Sequence, residues 1–65
     1  MNAITEQELD LLSRVKTGLT NAEIGEQVGA KQNVIKMRLR VVFLKLGVNN
    51  RTKAVVRAQA EGLIA

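Results

Sequence analysis

The chain has 65 residues, close to the lower limit for folding without a disulfide or a metal, and it contains no Cys and no His. Thiolate and imidazole ligands and every Cys or His nucleophile arrangement are thereby excluded, and the six carboxylates sit at ordinary helix-surface spacing with no candidate catalytic pair. The net charge of +4 divides unevenly: residues 1–30 hold five acids against Arg14 and Lys16, a balance of −3, while residues 31–65 hold eight bases against Glu61, a balance of +7.

Neither an enzyme nor a metal or other cofactor is expected from that inventory. A polar, acidic start and the lack of any long apolar run argue against a signal peptide and a membrane span, so a cytoplasmic location is expected. The basic half is suited to a polyanion. Nucleic acid is the first candidate and an anionic membrane the second. A membrane-surface helix needs Trp or Phe at the edge of its apolar face, and only Phe43 is present, so no membrane partner is expected.

In chain order, Thr5-Glu6-Gln7-Glu8 is a capping box with Thr5 as N-cap. Leu9, Leu12 and Val15, or Leu11 with its neighbour, then give helical spacing over 6–17, and Gly18 stops it. Thr20-Asn21-Ala22-Glu23 is a second capping box, opening a short helix over 21–28 through Ile24 and Val28, which Gly29 ends. Ala30-Lys31 leads directly into a third helix. Two helices joined by so few residues, with Gly at the break, form a helix-turn-helix signature, although a plain helical hairpin fits the pattern too.

The third helix spans 32–46, and Ile35, Leu39, Val42 and Leu46 form its apolar stripe. Asn33, Lys36, Met37, Arg40 and Leu44 fall on the opposite side. Lys31, Asn33, Lys36, Arg38, Arg40 and Lys45 are its candidate functional residues, and none of the stretch is acidic. A helix about 10–12 Å across fits the major groove of DNA, about 12 Å wide. The competing reading of this face is ordinary solvation.

Gly47-Val48-Asn49-Asn50 supplies a C-cap and then a fresh N-cap at Asn50. The fourth helix follows over 51–61 with Ala54, Val55 and Ala58 inward. Its outward Val56, Gln59 and Ala60 are small enough for close helix–helix approach, so they are the expected dimer contact. Gly62 closes the helix, and Leu63-Ile64 can fold back. The expected fold is all-α, one domain over 1–65, with Leu9, Leu12, Ile24, Val28, Ile35, Leu39, Val42, Leu46 and Val55 in the core.

The order of residues resembles the LuxR-type (GerE-like) helix-turn-helix domain from Ile4 to Ile64. The resemblance rests on Leu19-Thr20-Asn21-Ala22-Glu23-Ile24, Val34-Ile35-Lys36, the block from Lys45 to Val55 reading KLGVNNRTKAV, and Gly62-Leu63-Ile64. It implies a four-helix domain whose second and third helices bind DNA and whose fourth often forms a dimer contact, within a bacterial transcription regulator. It also implies that Lys36, Met37 and Arg40 face bases, and Asn33 is placed with them. Thr20 and Asn21 match positions whose backbone N–H groups hold a phosphate, and Arg51 and Thr52 match another backbone-contacting pair. Lys31 and Lys53, at helix ends, and Arg38 are assigned to phosphate as well. For Arg51 and Lys53 simple solvation is the alternative.

This chain departs from the family pattern at several places. Lys31 stands where Ser is usual as the N-cap, Val34 where Thr is usual, Arg38 where His is frequent, and Val41 and Leu44 where polar residues are common. Val34, Met37, Val41 and Leu44 therefore line up along a face expected to be wet. Either this stripe is a protein contact, or Val34 and Val41 tuck under neighbouring helices. Members of the family generally carry a sensing domain ahead of this one. Met1 lies just before the first helix, so the chain is either a stand-alone protein or a fragment.

Two functions follow. The first is a sequence-specific regulator of transcription that binds double-stranded DNA as a dimer. The second is a small LuxR-like interaction module that binds and modulates a larger regulator or RNA polymerase.

Overall fold

The computed structural model describes residues 3–65. Among these are four α-helices: α1 Glu6–Lys16, α2 Asn21–Val28, α3 Gln32–Leu46 and α4 Arg51–Ala60. Their ends fall within one residue of the boundaries expected from sequence, because the punctuation is local. Thr5 Oγ1 accepts from the Glu8 N–H at 3.2 Å while Glu8 Oε1 accepts from the Thr5 N–H at 2.8 Å. Thr20 and Glu23 repeat this reciprocal pair at 3.1 and 2.9 Å. Asn50 Oδ1 caps α4 by accepting from the Lys53 N–H at 2.8 Å. Lys31 precedes α3 and makes no side-chain cap bond, as its chemistry dictates: an ammonium has nothing to offer an orphan N–H.

The core is built as two clusters that share α3. Leu11, Val15, Ile24, Ile35 and Leu39 form one, between α1, α2 and the first half of α3. Leu12, Val42, Leu46, Ala54 and Ala58 form the other, between α1, the second half of α3 and α4. Phe43 packs against both. Leu63 and Ile64 fold back onto the second cluster, and the Leu63 N–H donates to the Ala58 carbonyl at 2.9 Å.

Three expected core residues are corrected. Leu9 is only half-buried, and Leu11 is buried in its place. Both leucines satisfy helical spacing, but α1 packs against both α3 and α4, so adjacent Leu11 and Leu12 point into the two clusters. Val28 and Val55 are half-buried at the edge of the first cluster rather than inside it. Ala54 and Ala58 are the fully buried positions of α4, and their small side chains let α4 approach closely.

The junction between α2 and α3 depends on two glycines. Gly29 adopts φ 74°, ψ 34°, a left-handed conformation that a β-carbon disfavours. Gly25 lies inside α2, buried, and a β-carbon there would collide with the Ala30 carbonyl oxygen. The chain turns back so tightly that the Ala30 N–H donates to the Gly25 carbonyl at 2.9 Å. This fixes how α3 leaves α2.

Candidate nucleic-acid interface

α3 buries Ile35, Leu39, Val42 and Leu46 and turns Asn33, Lys36, Met37 and Arg40 to solvent, so the two faces lie as the periodicity predicts. The wet face is amphipathic. Met37 is 67% exposed, Val41 47% and Leu44 75%, while Val34 is half-buried. Val34 tucks in, as the burial reading of this stripe expects, whereas Val41 stays exposed.

The lysines and arginines separate into two sets. Five have partners within the fold. Arg14 donates to Asp10 at 2.9 Å and to Gln27, and Lys16 donates to the Ala65 carbonyl at 2.7 Å. Lys45 donates to Glu8 at 2.8 Å and to the Ala3 carbonyl at 3.2 Å. Arg57 donates to the Leu46 carbonyl at 3.2 Å, covering the end of α3. Arg51 donates to the Leu19 carbonyl at 2.6 Å and to Asn21 Oδ1 at 3.2 Å. The other five, Lys31, Lys36, Arg38, Arg40 and Lys53, have no hydrogen-bond or ion-pair partner among the described residues, and all are exposed. Four of those five lie on α3 or cap it. The unpaired positive charge therefore concentrates on one helix.

The phosphate candidates are placed unequally by the fold. Lys31, Thr52 and Lys53 are exposed at helix starts. Arg38 is exposed on the flank of α3, over a shallow groove also lined by Thr5, Glu8, Leu11, Val28 and Val41. At the start of α2 the Thr20 N–H is already engaged by the Glu23 carboxylate, whose pKa is lowered by that bond and by the Thr20 hydroxyl. The Asn21 N–H is a first-turn donor with no helical partner, while the Asn21 side chain holds Arg51. Arg51 is half-buried and clamps α4 to the loop before α2. On α4, Val56 is 59% exposed, with Gln59 and Ala60 exposed beside it.

Sequence reasoning passed over three supports of this face. Gly25 carried a usable signal, because a glycine inside a helix is disfavoured unless another backbone comes close. The Arg57 and Arg51 clamps carried none, since their partners lie 11 or more residues away. Among the described residues, no group of acidic residues could hold a metal, and no helix is long and apolar enough to cross a membrane.

A short helix, a turn too tight for a β-carbon, and a second helix presenting unpaired cations define a helix-turn-helix unit of the nucleic-acid-binding class. Residues 2–58 match the family described as bacterial regulatory proteins of the luxR family, and the chain belongs to it. It is 36% identical over 63 residues to the HTH-type transcriptional regulator AlkS of Alcanivorax borkumensis, covering 97% of this chain and 7% of AlkS. It is 34% identical to the transcriptional regulatory protein YdfI of Bacillus subtilis, covering 94% of this chain and 29% of YdfI. It is 38% identical to the HTH-type transcriptional activator RamA of Corynebacterium glutamicum, covering 94% and 22%. Among solved structures, the response regulator ChrA of a heme-sensing two-component system superposes with a TM-score of 0.92 at 31% identity, covering 95% of this chain and 31% of ChrA. The chain thus spans less than a third of the length of these relatives. The family is one of DNA-binding transcription regulators rather than of enzymes.

Proposed function

We propose that residues 1–65 act as one sequence-specific domain for double-stranded DNA, with α3 in the major groove and no catalytic role. The observation that carries this is the gathering of unpaired Lys31, Lys36, Arg38 and Arg40 on a helix without an acidic residue. Lys36 and Arg40 lie one turn apart on the wet face, where each can donate to guanine O6 and N7, with Asn33 and Met37 beside them. Lys31, Lys53, Thr52 and the Asn21 N–H hold phosphates and set the register. The domain works in the cytoplasm on a two-fold site, pairing through Val56, Gln59 and Ala60. That patch is small against the roughly 800 Å² per partner of a stable interface, so pairing is completed on the DNA. The interaction-module reading draws no support from the relatives, which are named as transcription regulators.

Selection of bound sequences from random duplexes is the test. A palindromic motif is the expected result, and no enrichment at low salt would refute sequence-specific binding. Sedimentation of the free protein should show mostly monomer at micromolar concentration. A tight dimer without DNA would mean that another surface, not the α4 patch, joins two copies.

A further inference from the structure

The wet face of α3 is not only basic. Met37, Val41 and Leu44 form an i, i+4, i+7 row along its outer side, and all three are exposed. Lys36 and Arg40 flank the row on one side and Arg38 on the other, each without a partner among the described residues. Three side chains are few against the roughly 20–30 residues that each partner contributes to a standard protein interface. An apolar strip with cations on both sides matches instead a polyanionic wall on either side of an apolar floor.

The DNA major groove has that cross-section wherever thymines lie, because each C5-methyl projects into the groove between the phosphate strands. The lengths agree as well. Seven residues of helix advance about 10.5 Å, at about 1.5 Å per residue. Three base-pair steps rise about 10 Å, at about 3.4 Å each. Met37, Val41 and Leu44 are therefore spaced to meet methyl groups within one run of about four base pairs as the helix follows the groove. Hydrogen-bonding side chains could not replace them in this role, since a methyl neither donates nor accepts.

We infer that Met37, Val41 and Leu44 are specificity residues that read a short run of thymines by methyl contact, adjoining the bases read by Lys36 and Arg40. The inference rests on the DNA-binding reading above and adds to it the class of sequence preferred. Val34, half-buried, lies at the edge of this strip.

Deoxyuridine tests the idea, because it pairs as thymidine does and lacks only the C5-methyl. In the duplex obtained by selection, each thymidine is replaced singly and affinity measured by titration. Two or three replacements within one run of about four base pairs should each weaken binding about threefold to fourfold, the effect of withdrawing one buried methyl group, and replacements elsewhere should be neutral. Leu44→Ala and Met37→Ala change exposed positions, so the fold is retained and far-ultraviolet circular dichroism checks it. Each variant should bind the thymidine duplex more weakly and become indifferent to deoxyuridine at one position, while binding random duplexes with unchanged affinity and salt slope. A preferred duplex that tolerates deoxyuridine everywhere overturns the methyl reading alone. So does a Leu44→Ala, Met37→Ala double variant that keeps the full deoxyuridine response; the strip would then face a protein. Failure to select any preferred duplex overturns the DNA-binding reading and this one with it.

Discussion

Arg51 separates two physical roles that a basic residue at a helix start can have, and Arg51→Ala distinguishes them. The guanidinium bridges three segments: it sits at the first residue of α4, reaches the Leu19 carbonyl at 2.6 Å and takes Asn21 Oδ1 at 3.2 Å. A hydrogen bond to a charged group contributes about 1.5–3 kcal/mol when well buried. This site is half-buried, the second bond is long, and water can reach the freed acceptors, so the two bonds together are worth about 1–2 kcal/mol. Better helix propensity in alanine offsets less than a few tenths of that. For a domain of this length each kcal/mol moves the midpoint about 4–8 °C, so Arg51→Ala should melt roughly 5–15 °C below the parent. Arg51→Lys should recover little, because an ammonium cannot span both acceptors as the planar fork does. Thermal denaturation followed by circular dichroism suffices. An unchanged midpoint, together with a salt slope of DNA binding lowered by a full unit, would show that Arg51 serves phosphate and that the clamp is incidental.

Three further outcomes are expected. Leu39→Ala removes a side chain 3% exposed at the middle of the first cluster and should cost on the order of 2–5 kcal/mol, enough to unfold most of the population; retained helicity and melting point would mean that the faces of α3 are assigned wrongly. Arg40→Ala should lose about 1–3 kcal/mol on the preferred duplex and little on random DNA, whereas Lys53→Ala should weaken both alike and lower the salt slope by about one unit; titrations at several salt concentrations make the comparison. Burial raises the Glu8 pKa, but the Lys45 ammonium and the Thr5 N–H and hydroxyl outweigh it and hold the carboxyl below its ordinary 4.5. A folded value below the unfolded one gives stability that is present above about pH 4.5 and lost as pH falls through the lowered value, so acid unfolding monitored against pH should flatten there in Glu8→Gln.

Local chemistry was legible in the sequence, and long-range choice was not. Both capping boxes, Asn50, and the glycines after α2 and α3 set helix ends through contacts three or four residues apart, so their positions were readable within one residue. The α3 faces were readable because, of the two apolar rows at helical spacing, only that of Ile35, Leu39, Val42 and Leu46 lies away from Lys36 and Arg40. In α1 two sets fit, and the choice of Leu11 over Leu9 depends on where α3 and α4 come to lie. The same limit governs the basic residues. Ten lysines and arginines look alike in sequence, yet the fold engages five of them, Arg51 among the expected phosphate contacts. The exposed row on α3 was visible as a pattern, but Val34 and Val41 could be told apart only by what packs beside them.

That α3 contributes to both core clusters, with Phe43 packed against each, has a kinetic consequence. A helix held by two clusters cannot open by loosening either one, so its central backbone amides should exchange with solvent only when the whole chain unfolds. The residues after α4 touch the second cluster alone and can open without disturbing the first. The helix that carries the unpaired cations is thus held from both sides. No segment of it has to become ordered when a partner arrives, and association is limited by encounter and orientation rather than by local refolding.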